Sequence, residues 1–399
     1  MLNNIIKLEK RILKGLKTEY KRYFFDRVDF SSQMIAVVGS RGVGKTTFLL
    51  QYLKDLKAEY PAHKSLYFSY DYPTNVDIKL YELAEEFVKV GGKYLLLDEI
   101  HKYKNFALDL KAIYDFYPEM KVVFTGSCAT SIYNSQADLS RRAVLYHMNG
   151  LSYREFLELT LDKKLPTFSL EEICADSVSI VDTLSDLFVP LEYFSEYLKY
   201  GYYPFYFSDK DNYLKQLTAV VNLTIDVDLV MLGYIKPNFA NKLKKLLNVI
   251  CYSKPFELNI TKVSANIEVS RNTLYAYLEH LTKGDLLTVV ADNKKGLTAL
   301  SKPEKLYLNN TNLSYALCEE PEIGTIREGF FSNQLQESHK ITTSKHGYFI
   351  VDGQYIFEIG GENKGFKQIK DLDNSYIVQD TDSTEDSRKI PLWLFGFLY

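Results

Sequence analysis

The sequence predicts an α/β fold in which helices flank a parallel β-sheet, and two observations indicate it. The apolar run at residues 34–38 leads into a glycine-rich stretch and then into a helical pattern from Thr46 to Tyr60, which Pro61 ends. Similar short apolar runs then alternate with helical patterns as far as Ser127. Strands that alternate with helices form parallel sheets, because each helix returns the chain to the edge where the next strand begins.

The glycine-rich stretch fits the pattern G-x-x-x-x-G-K-[ST] of a phosphate-binding loop, or P-loop. Its residues are Gly39, Ser40, Arg41, Gly42, Val43, Gly44, Lys45 and Thr46, and Thr47 follows as a further phosphate contact. Lys45 is expected to reach the β- and γ-phosphates, and the Thr46 hydroxyl is expected to bind Mg²⁺. The alternative is a glycine turn that only joins a strand to a helix. The complete motif, with a strand before it and a helix after it, favours a P-loop nucleoside triphosphatase.

A second motif ends a later apolar strand, where Asp98 and Glu99 follow the P-loop by roughly fifty residues. Asp98 is placed to hold Mg²⁺, directly or through water, and Glu99 is placed to act as the base that orients the attacking water. Two adjacent acids can also form a solvated turn, but behind a P-loop the catalytic interpretation is favoured. Thr125 and Ser127, which end the next strand, are candidates for contact with the γ-phosphate or that water, and a simple hydroxyl-rich turn is the alternative for either residue. His101 is interpreted as a packing or surface residue.

Composition limits the class of protein. The chain has 399 residues, enough for about two to four domains, and its formal net charge of -3 gives no bulk attraction to nucleic acid. The four cysteines are far apart and lack C-x-x-C spacing, which predicts neither a zinc site nor a disulfide framework. No apolar run reaches the roughly 18 to 20 residues of a membrane helix, and the N-terminus lacks a signal peptide's apolar core, so we expect a cytoplasmic protein without membrane contact.

Residues 3–22 predict a basic amphipathic helix, because apolar positions at helical spacing alternate with lysines and arginines. Such a helix can contact nucleic acid or a membrane. Glu9 and Glu19 are interleaved with the basic residues, which favours a helix that packs on the ATPase domain and solvates its outer face.

Several segments together resemble the bacterial and archaeal AAA-like P-loop ATPases that carry a C-terminal winged helix and an endonuclease-like domain of unknown function. The segments are the P-loop and residues 97–102, 124–127, 151–157 and 302–308. The resemblance implies ATP as the nucleotide. It also implies that Arg141 or Arg142 stabilises the charge of the γ-phosphate, in the same subunit or from a neighbour, with a surface salt bridge as the alternative.

The resemblance and the sequence pattern divide the chain into four predicted domains. They are a P-loop ATPase domain at 1–155, a helical lid or connector at 156–235, a winged helix at 236–310 and an α/β endonuclease-like domain at 311–399. Residues 236–308 contain twelve Lys or Arg against six Asp or Glu, a net charge of +6 that contrasts with the whole chain. A DNA contact by Arg271, Asn272 and Tyr275 on the second helix of this segment is one expectation, and a protein-contact or lid role is the other.

In the last domain, Glu328, Asp352 and Glu358 occur in the order of a carboxylate metal cluster. The nuclease pattern requires lysine two residues after the last acid, where this chain has Gly360, although Lys364 could enter from the next loop. We therefore expect an inactive domain. The leading prediction for the whole chain is a Mg²⁺-dependent ATPase that acts as a switch or motor and is open to homo-oligomer formation. The alternatives are a DNA-binding regulator or defence factor gated by nucleotide, and a metal-dependent nuclease.

Overall fold

The computed structural model describes residues 1–16, 19–126, 139, 141–231, 233–252, 260–292, 305–344 and 348–399. These residues form two compact units, Met1–Asn149 and Gly150–Tyr399. In the part of the chain described, no helix is both long and apolar enough to cross a bilayer.

The first unit is a five-stranded parallel sheet with helices around it, as the sequence predicts. Its helices are α1 (Leu2–Gly15), α2 (Phe24–Arg27), α3 (Lys45–Glu59), α4 (Leu80–Lys89) and α5 (Phe106–Phe116). Its strands are β1 (Met34–Val38), β2 (Ser65–Ser69), β3 (Tyr94–Asp98), β4 (Lys121–Gly126) and β5 (Val144–His147). The order across the sheet is β2-β3-β4-β1-β5, and every neighbouring pair is parallel.

The register of the sheet decides which side chains meet. Val38 pairs with Gly126 on β4, and Ser69 on β2 pairs with Asp98 on β3. Because the strands are parallel, their carboxyl ends lie along one edge, which is where parallel α/β sheets bind ligands. The P-loop follows β1 and Glu99 follows β3, so both predicted motifs start from this edge.

The N-terminal helix packs on the sheet, and it ends earlier than predicted. The α1 helix stops at Gly15, short of the expected residue 22. Its Glu9 is buried, accepts a hydrogen bond from the backbone N–H of Tyr67 at 2.8 Å, and pairs with Lys57 at 2.9 Å. Tyr67 lies on β2, an edge strand of the sheet, so Glu9 binds a backbone donor that the edge would otherwise expose. Glu9, which the sequence places among basic residues, therefore fixes α1 to the sheet.

The second unit combines helices with a seven-stranded mixed sheet. Its helices are α6 (Tyr153–Leu161), α7 (Leu170–Ser185), α8 (Pro190–Glu196), α9 (Tyr213–Leu223), α10 (Leu229–Met231), α11 (Ala240–Cys251), α12 (Ile260–Asn266), α13 (Arg271–Lys283), α14 (Thr311–Leu317) and α15 (Ile323–Leu335). Its strands are β6 (Leu287–Asp292), β7 (Lys305–Leu308), β8 (Ile341–Thr343), β9 (Phe349–Val351), β10 (Tyr355–Gly360), β11 (Ser375–Gln379) and β12 (Lys389–Pro391). The order across the sheet is β12-β11-β10-β9-β8-β6-β7.

The predicted boundaries at 235/236 and 310/311 do not separate compact units. Helices α12 and α13 precede the antiparallel pair β6 and β7, which are the elements expected of a winged helix, and the Ser270 side chain caps α13. However, β6 also pairs in parallel with β8, at Ala291 with Thr342. Hydrogen bonding therefore joins the strand pair to the sheet of the last predicted domain. The assignments as a winged helix and an endonuclease-like domain stay predictions.

The first boundary also differs by a few residues, because the segment around Ser152 belongs to the second unit. The Ser152 hydroxyl and the Arg154 guanidinium both donate to the carbonyl oxygen of Tyr399, each at 3.0 Å. Ser152 also caps α6 by accepting from the Glu155 backbone N–H. The unit therefore begins at Gly150 instead of residue 156.

The expectation of no disulfide is wrong. Cys251, at the end of α11, is bonded to Cys318, at the end of α14, with their Cα atoms 5.4 Å apart. The two residues are 67 positions apart in the sequence, so only the tertiary packing of the two helices brings them together. Cys174 is free and buried, as expected of a small core residue.

The predicted carboxylate metal cluster is also not formed. Its three members were Glu328, Asp352 and Glu358. Glu328 pairs with Lys305 at 2.9 Å, Glu358 pairs with Lys364 at 2.6 Å, and Asp352 pairs with His339 at 2.7 Å. Among the residues that the structure describes, no group of three or more His, Cys, Asp or Glu side chains could hold a metal ion. Lys364, which the sequence suggested could enter from the next loop, therefore does approach Glu358, while Lys305 pairs with Glu328.

Candidate nucleotide-binding site

The P-loop has the backbone conformation that its glycines allow. Gly39, Gly42 and Gly44 all have positive φ angles, at 148°, 86° and 104°. A Cβ atom on Gly39 would lie 2.2 Å from the carbonyl oxygen of Met148, so no larger residue fits there. Within the loop, Val43 is fully buried. The loop is therefore held tightly against the end of the sheet.

A buried arginine, Arg22, donates hydrogen bonds to the backbone of the P-loop and of a neighbouring segment. Arg22 donates from Nη1 to the carbonyl oxygen of Val43 at 3.0 Å and to that of Asn149 at 2.7 Å. Only 8% of Arg22 is exposed, although the sequence pattern placed it on a solvated basic helix. A charged hydrogen bond of this kind fixes the backbone that would surround a phosphate. No sequence signal distinguishes Arg22 from the surface lysines and arginines around it.

Lys45 is the first residue of α3, and it is buried against the loop. Its Nζ donates to the carbonyl oxygens of Gly39 at 2.7 Å and Ser40 at 2.8 Å. The next residue, Thr46, is exposed on the first turn of α3, and Thr47 is half-buried. Lys45 therefore lies within the loop that it is predicted to complete around a phosphate.

The predicted metal ligands lie side by side. The Thr46 hydroxyl donates to Oδ2 of Asp98 at 2.9 Å, and the Asp98 carboxylate is only 3% exposed. Mg²⁺ prefers hard oxygen ligands, commonly one or two protein oxygens together with phosphate oxygens and water. A hydroxyl and a carboxylate in contact at the mouth of a P-loop fit this requirement.

Two further side chains orient the Asp98 carboxylate. Tyr67 donates to Oδ2 at 2.8 Å, and Thr125 donates to Oδ1 at 2.5 Å. Burial, with the neighbouring Asp98 charge, raises the pKa of Tyr67 far above its ordinary value, so its hydroxyl stays a donor. Thr125 was a candidate for phosphate contact, and in the structure it holds Asp98 instead. No motif marks Tyr67 in the sequence, because its role depends on β2 lying beside β3.

Glu99 has an unusual backbone and a largely buried side chain. Its φ of 52° is in the left-handed region, which is uncommon outside glycine and occurs at functional sites. Its backbone N–H donates to the Thr125 hydroxyl at 3.2 Å. Burial is the main cause that raises the pKa of the Glu99 carboxyl above its ordinary value. The Lys45 ammonium opposes the rise, and the adjacent Asp98 carboxylate adds to it.

Two cationic or polar side chains approach Glu99. Its Oε2 lies 3.9 Å from Nη2 of Arg41 in the P-loop and 3.5 Å from Nε2 of His101. The His101 side chain is 1% exposed and belongs to the short 3₁₀ turn Ile100–Lys102. The sequence predicts His101 only as a packing or surface residue. The structure places it beside Glu99, the predicted base.

The predicted arginines do not lie at this site in their own chain. Arg142 forms a two-pronged ion pair with Asp115, with both N–O distances 3.0 Å. It precedes β5, whose Val144 pairs with Ile35 near the start of β1. The P-loop follows the other end of β1, about 10 Å away by strand geometry. Arg141 is exposed at the same end of β5, and Ser127 lies outside the described residues.

Comparison with known proteins supports the P-loop assignment. Residues 31–157 match a family described as an AAA domain, and residues 191–323 match a domain of unknown function. An uncharacterised protein of Methanocaldococcus jannaschii is 27% identical over 310 residues, which cover 72% of this chain. The match spans 64% of that relative's length.

Solved structures show more distant likeness. A Walker-type ATPase of Pyrococcus abyssi has a TM-score of 0.41 and 12% identity, covering 72% of this chain and 91% of that one. The Saccharomyces cerevisiae Hsp104–ADP complex has a TM-score of 0.33 and 15% identity, covering 70% of this chain and 43% of that one. These scores are too low to support a functional argument. The P-loop, Asp98 and Glu99 all fall within residues 31–157, the region that is similar to AAA domains.

Proposed function

We propose that the first unit binds ATP with Mg²⁺ and hydrolyses it, so that the protein works as a nucleotide-driven switch or motor. The supporting observation is the 2.9 Å contact between Thr46 on the P-loop helix and Asp98 on β3, with Glu99 beside it. This contact joins the phosphate-binding and metal-binding parts of the site. The choice of ATP follows from the AAA-domain match.

Binding would use groups that are already close together. The loop N–H groups and the start of α3 attract the phosphates, and Lys45 would exchange its contacts with the Gly39 and Ser40 carbonyl oxygens for phosphate oxygens. Thr46 and Asp98 would hold Mg²⁺, which supplies positive charge against the phosphate oxygens.

Hydrolysis would use Glu99 as the base. The Glu99 carboxylate accepts a proton from water as the water oxygen bonds to the γ-phosphorus, and the bond from that phosphorus to the β–γ bridging oxygen breaks. The products are ADP and inorganic phosphate. A carboxyl with a raised pKa is a stronger base once ionised, and such a base contributes a factor on the order of 10² to 10⁴ in rate.

The proposal is tested by nucleotide binding and phosphate release from the purified chain. Lys45→Ala should weaken ATP binding and remove Mg²⁺-dependent phosphate release. Lys54→Ala is the matched control, because Lys54 lies on the same helix with its side chain 61% exposed and paired with Glu19 at the surface. A wild-type protein that binds no ATP, with phosphate release equal to that of Lys45→Ala, would contradict the proposal.

One observation favours a second candidate function, DNA binding by the second unit. Helix α13 buries Leu274 and Leu278, while Arg271 and Asn272 at its start are exposed and Tyr275 is half-buried. The predicted base-contacting residues are therefore accessible, in a segment whose net charge is +6 by twelve basic minus six acidic residues.

Fluorescence anisotropy with a labelled DNA duplex tests this second candidate. Arg271→Ala should weaken binding and flatten its salt dependence, because neutralising fewer phosphates releases fewer counterions. Lys89→Ala, an exposed lysine on α4 in the first unit, should leave binding unchanged. Undetectable binding at moderate salt, with or without ATP, would exclude a DNA-binding role.

A further inference from the structure

His101 lies where it can control the predicted base. Its Nε2 is 3.5 Å from Oε2 of Glu99, and its side chain is 1% exposed, so packing fixes the imidazole. The two residues are linked by a tight backbone path, because Glu99 adopts a left-handed φ and the 3₁₀ turn Ile100–Lys102 begins immediately after it. The turn directs both side chains to the same place.

The Glu99 carboxylate needs such a neighbour. Its Oε2 is buried and makes no hydrogen bond within the described residues. A buried carboxylate oxygen without a hydrogen bond is costly, so a donor close to Oε2 would stabilise the carboxylate in its place. Hydrogen bonds of catalytic groups are often long before the substrate binds and shorten in the complex. A separation of 3.5 Å is close enough for a small movement to complete one.

Arg41 is the other neighbour of the same oxygen, at 3.9 Å. Its side chain is 18% exposed and belongs to the P-loop, where an incoming phosphate would compete for its charge. His101 lies after β3, on the same strand–turn segment as Glu99, and no phosphate contact is predicted for it. Of these two side chains, His101 is therefore the one that would stay beside Glu99 after the nucleotide binds.

We propose that His101 is a positioning residue for ATP hydrolysis, which donates from Nε2 to Oε2 of Glu99 and so leaves Oε1 directed at the attacking water. This rests on the proposed ATPase function. It assigns the Nε2-protonated tautomer, in which a neutral imidazole is sufficient. The role is that of a hydrogen-bond donor, which an amide of similar reach can replace.

Steady-state kinetics of two substitutions test this role. His101→Ala should lower kcat by about 10- to 100-fold and leave KM within about twofold, because misplacing a catalytic group by about 1 Å costs up to about 100-fold. His101→Gln should restore most of kcat, since its amide N–H can donate to the same oxygen. His63→Ala, in the 3₁₀ turn Ala62–Lys64 of the same unit, is the control and should behave as wild type.

A double-mutant cycle separates positioning from a structural effect. In a Glu99→Gln background, His101→Ala should cause no further loss of kcat, because the group that it orients has gone. Thermal unfolding of each variant and binding of a fluorescent ATP analogue report whether the fold and the P-loop are intact.

The inference is overturned if His101→Ala hydrolyses ATP as wild type does, if His101→Gln is as impaired as His101→Ala, or if the two losses are independent. If wild type is active and Lys45→Ala is inactive in these experiments, the proposed ATPase function still holds. An inactive wild type that fails to bind ATP contradicts both.

Discussion

At the scale of single residues, the site depends on hydrogen bonds to one carboxylate. Asp98 accepts from Thr46 on α3, from Tyr67 on β2 and from Thr125 on β4. Three elements thereby fix the position of one predicted metal ligand. This suits Mg²⁺, which requires near-octahedral geometry and tolerates little displacement of its ligands.

Removing one of these donors should affect the metal requirement. Tyr67→Phe leaves Asp98 with two side-chain donors, so we expect a higher Mg²⁺ concentration at half-maximal phosphate release and a loss of about 1 to 3 kcal/mol in the free energy of unfolding. Tyr70→Phe is the matched control, because Tyr70 is also buried and donates to the carbonyl oxygen of Ile78, away from Asp98. An unchanged Mg²⁺ titration for Tyr67→Phe would show that its hydroxyl does not position the ligand.

Glu99 should make stability depend on pH. The pKa of its carboxyl is raised in the folded protein above the ordinary value of 4.5, so its contribution to stability is fully present below that value and is lost as pH rises through the folded pKa. Glu99→Gln should therefore unfold at higher denaturant concentration than wild type at pH 8, and the difference should shrink as pH falls through the folded pKa and be smallest below 4.5. Chemical denaturation across this range measures the difference, with Glu86→Gln at an exposed position on α4 as the control. A Glu99→Gln variant less stable than wild type at pH 8 would contradict the burial cost.

At the scale of elements, α1 depends on a buried acid. Glu9 joins α1 to β2 through the Tyr67 backbone and pairs with Lys57 on α3. We expect Glu9→Ala to lower the free energy of unfolding by about 3 kcal/mol, because it leaves a buried donor and a partly buried ammonium without their carboxylate. Glu19→Ala removes a surface pair with Lys54 and should leave the free energy of unfolding nearly unchanged. Equal effects in urea denaturation would mean that α1 does not depend on this contact.

The disulfide should stabilise the second unit. Linking Cys251 to Cys318 closes a chain segment of 67 residues, and the chain-entropy estimate for such a loop is about 4 kcal/mol. We expect a reducing agent to lower the unfolding temperature of the wild type and to leave the Cys251→Ser/Cys318→Ser double variant unaffected. Identical electrophoretic mobility of the wild type with and without reductant, under denaturing conditions, would show that the bond does not form.

At the scale of the whole molecule, the features that could be predicted are the motifs and elements formed by residues close together in the sequence. The P-loop, Asp98 and Glu99 follow strands within a few positions, so the sequence motif and the site coincide. Tyr67, Arg22 and His101 have roles that depend on the strand order β2-β3-β4-β1 and on local turns, which no pattern in the chain specifies.

The second unit shows the same limit more strongly. Helices α12 and α13 and strands β6 and β7 were predicted in order, because each is a local pattern. Strand β6 pairs with β8, and Cys251 is bonded to Cys318. Each of these links connects distant segments, and each joins residues that the sequence analysis assigned to different domains. Similarly, Glu328 and Glu358 have the order of a metal cluster, but lysines distant in sequence or in the next loop pair with them.

The proposed function requires the protein to bind ATP at the P-loop and to use Glu99 to hydrolyse it. The most direct measurement is the identity of the nucleotide bound after incubation with radiolabelled ATP and Mg²⁺, separated by chromatography. We predict that Glu99→Gln retains ATP, that wild type carries ADP or releases it, and that Lys45→Ala retains neither. ADP formation by Glu99→Gln at the rate of wild type would contradict this function. An absence of bound nucleotide from both wild type and Glu99→Gln would contradict it as well.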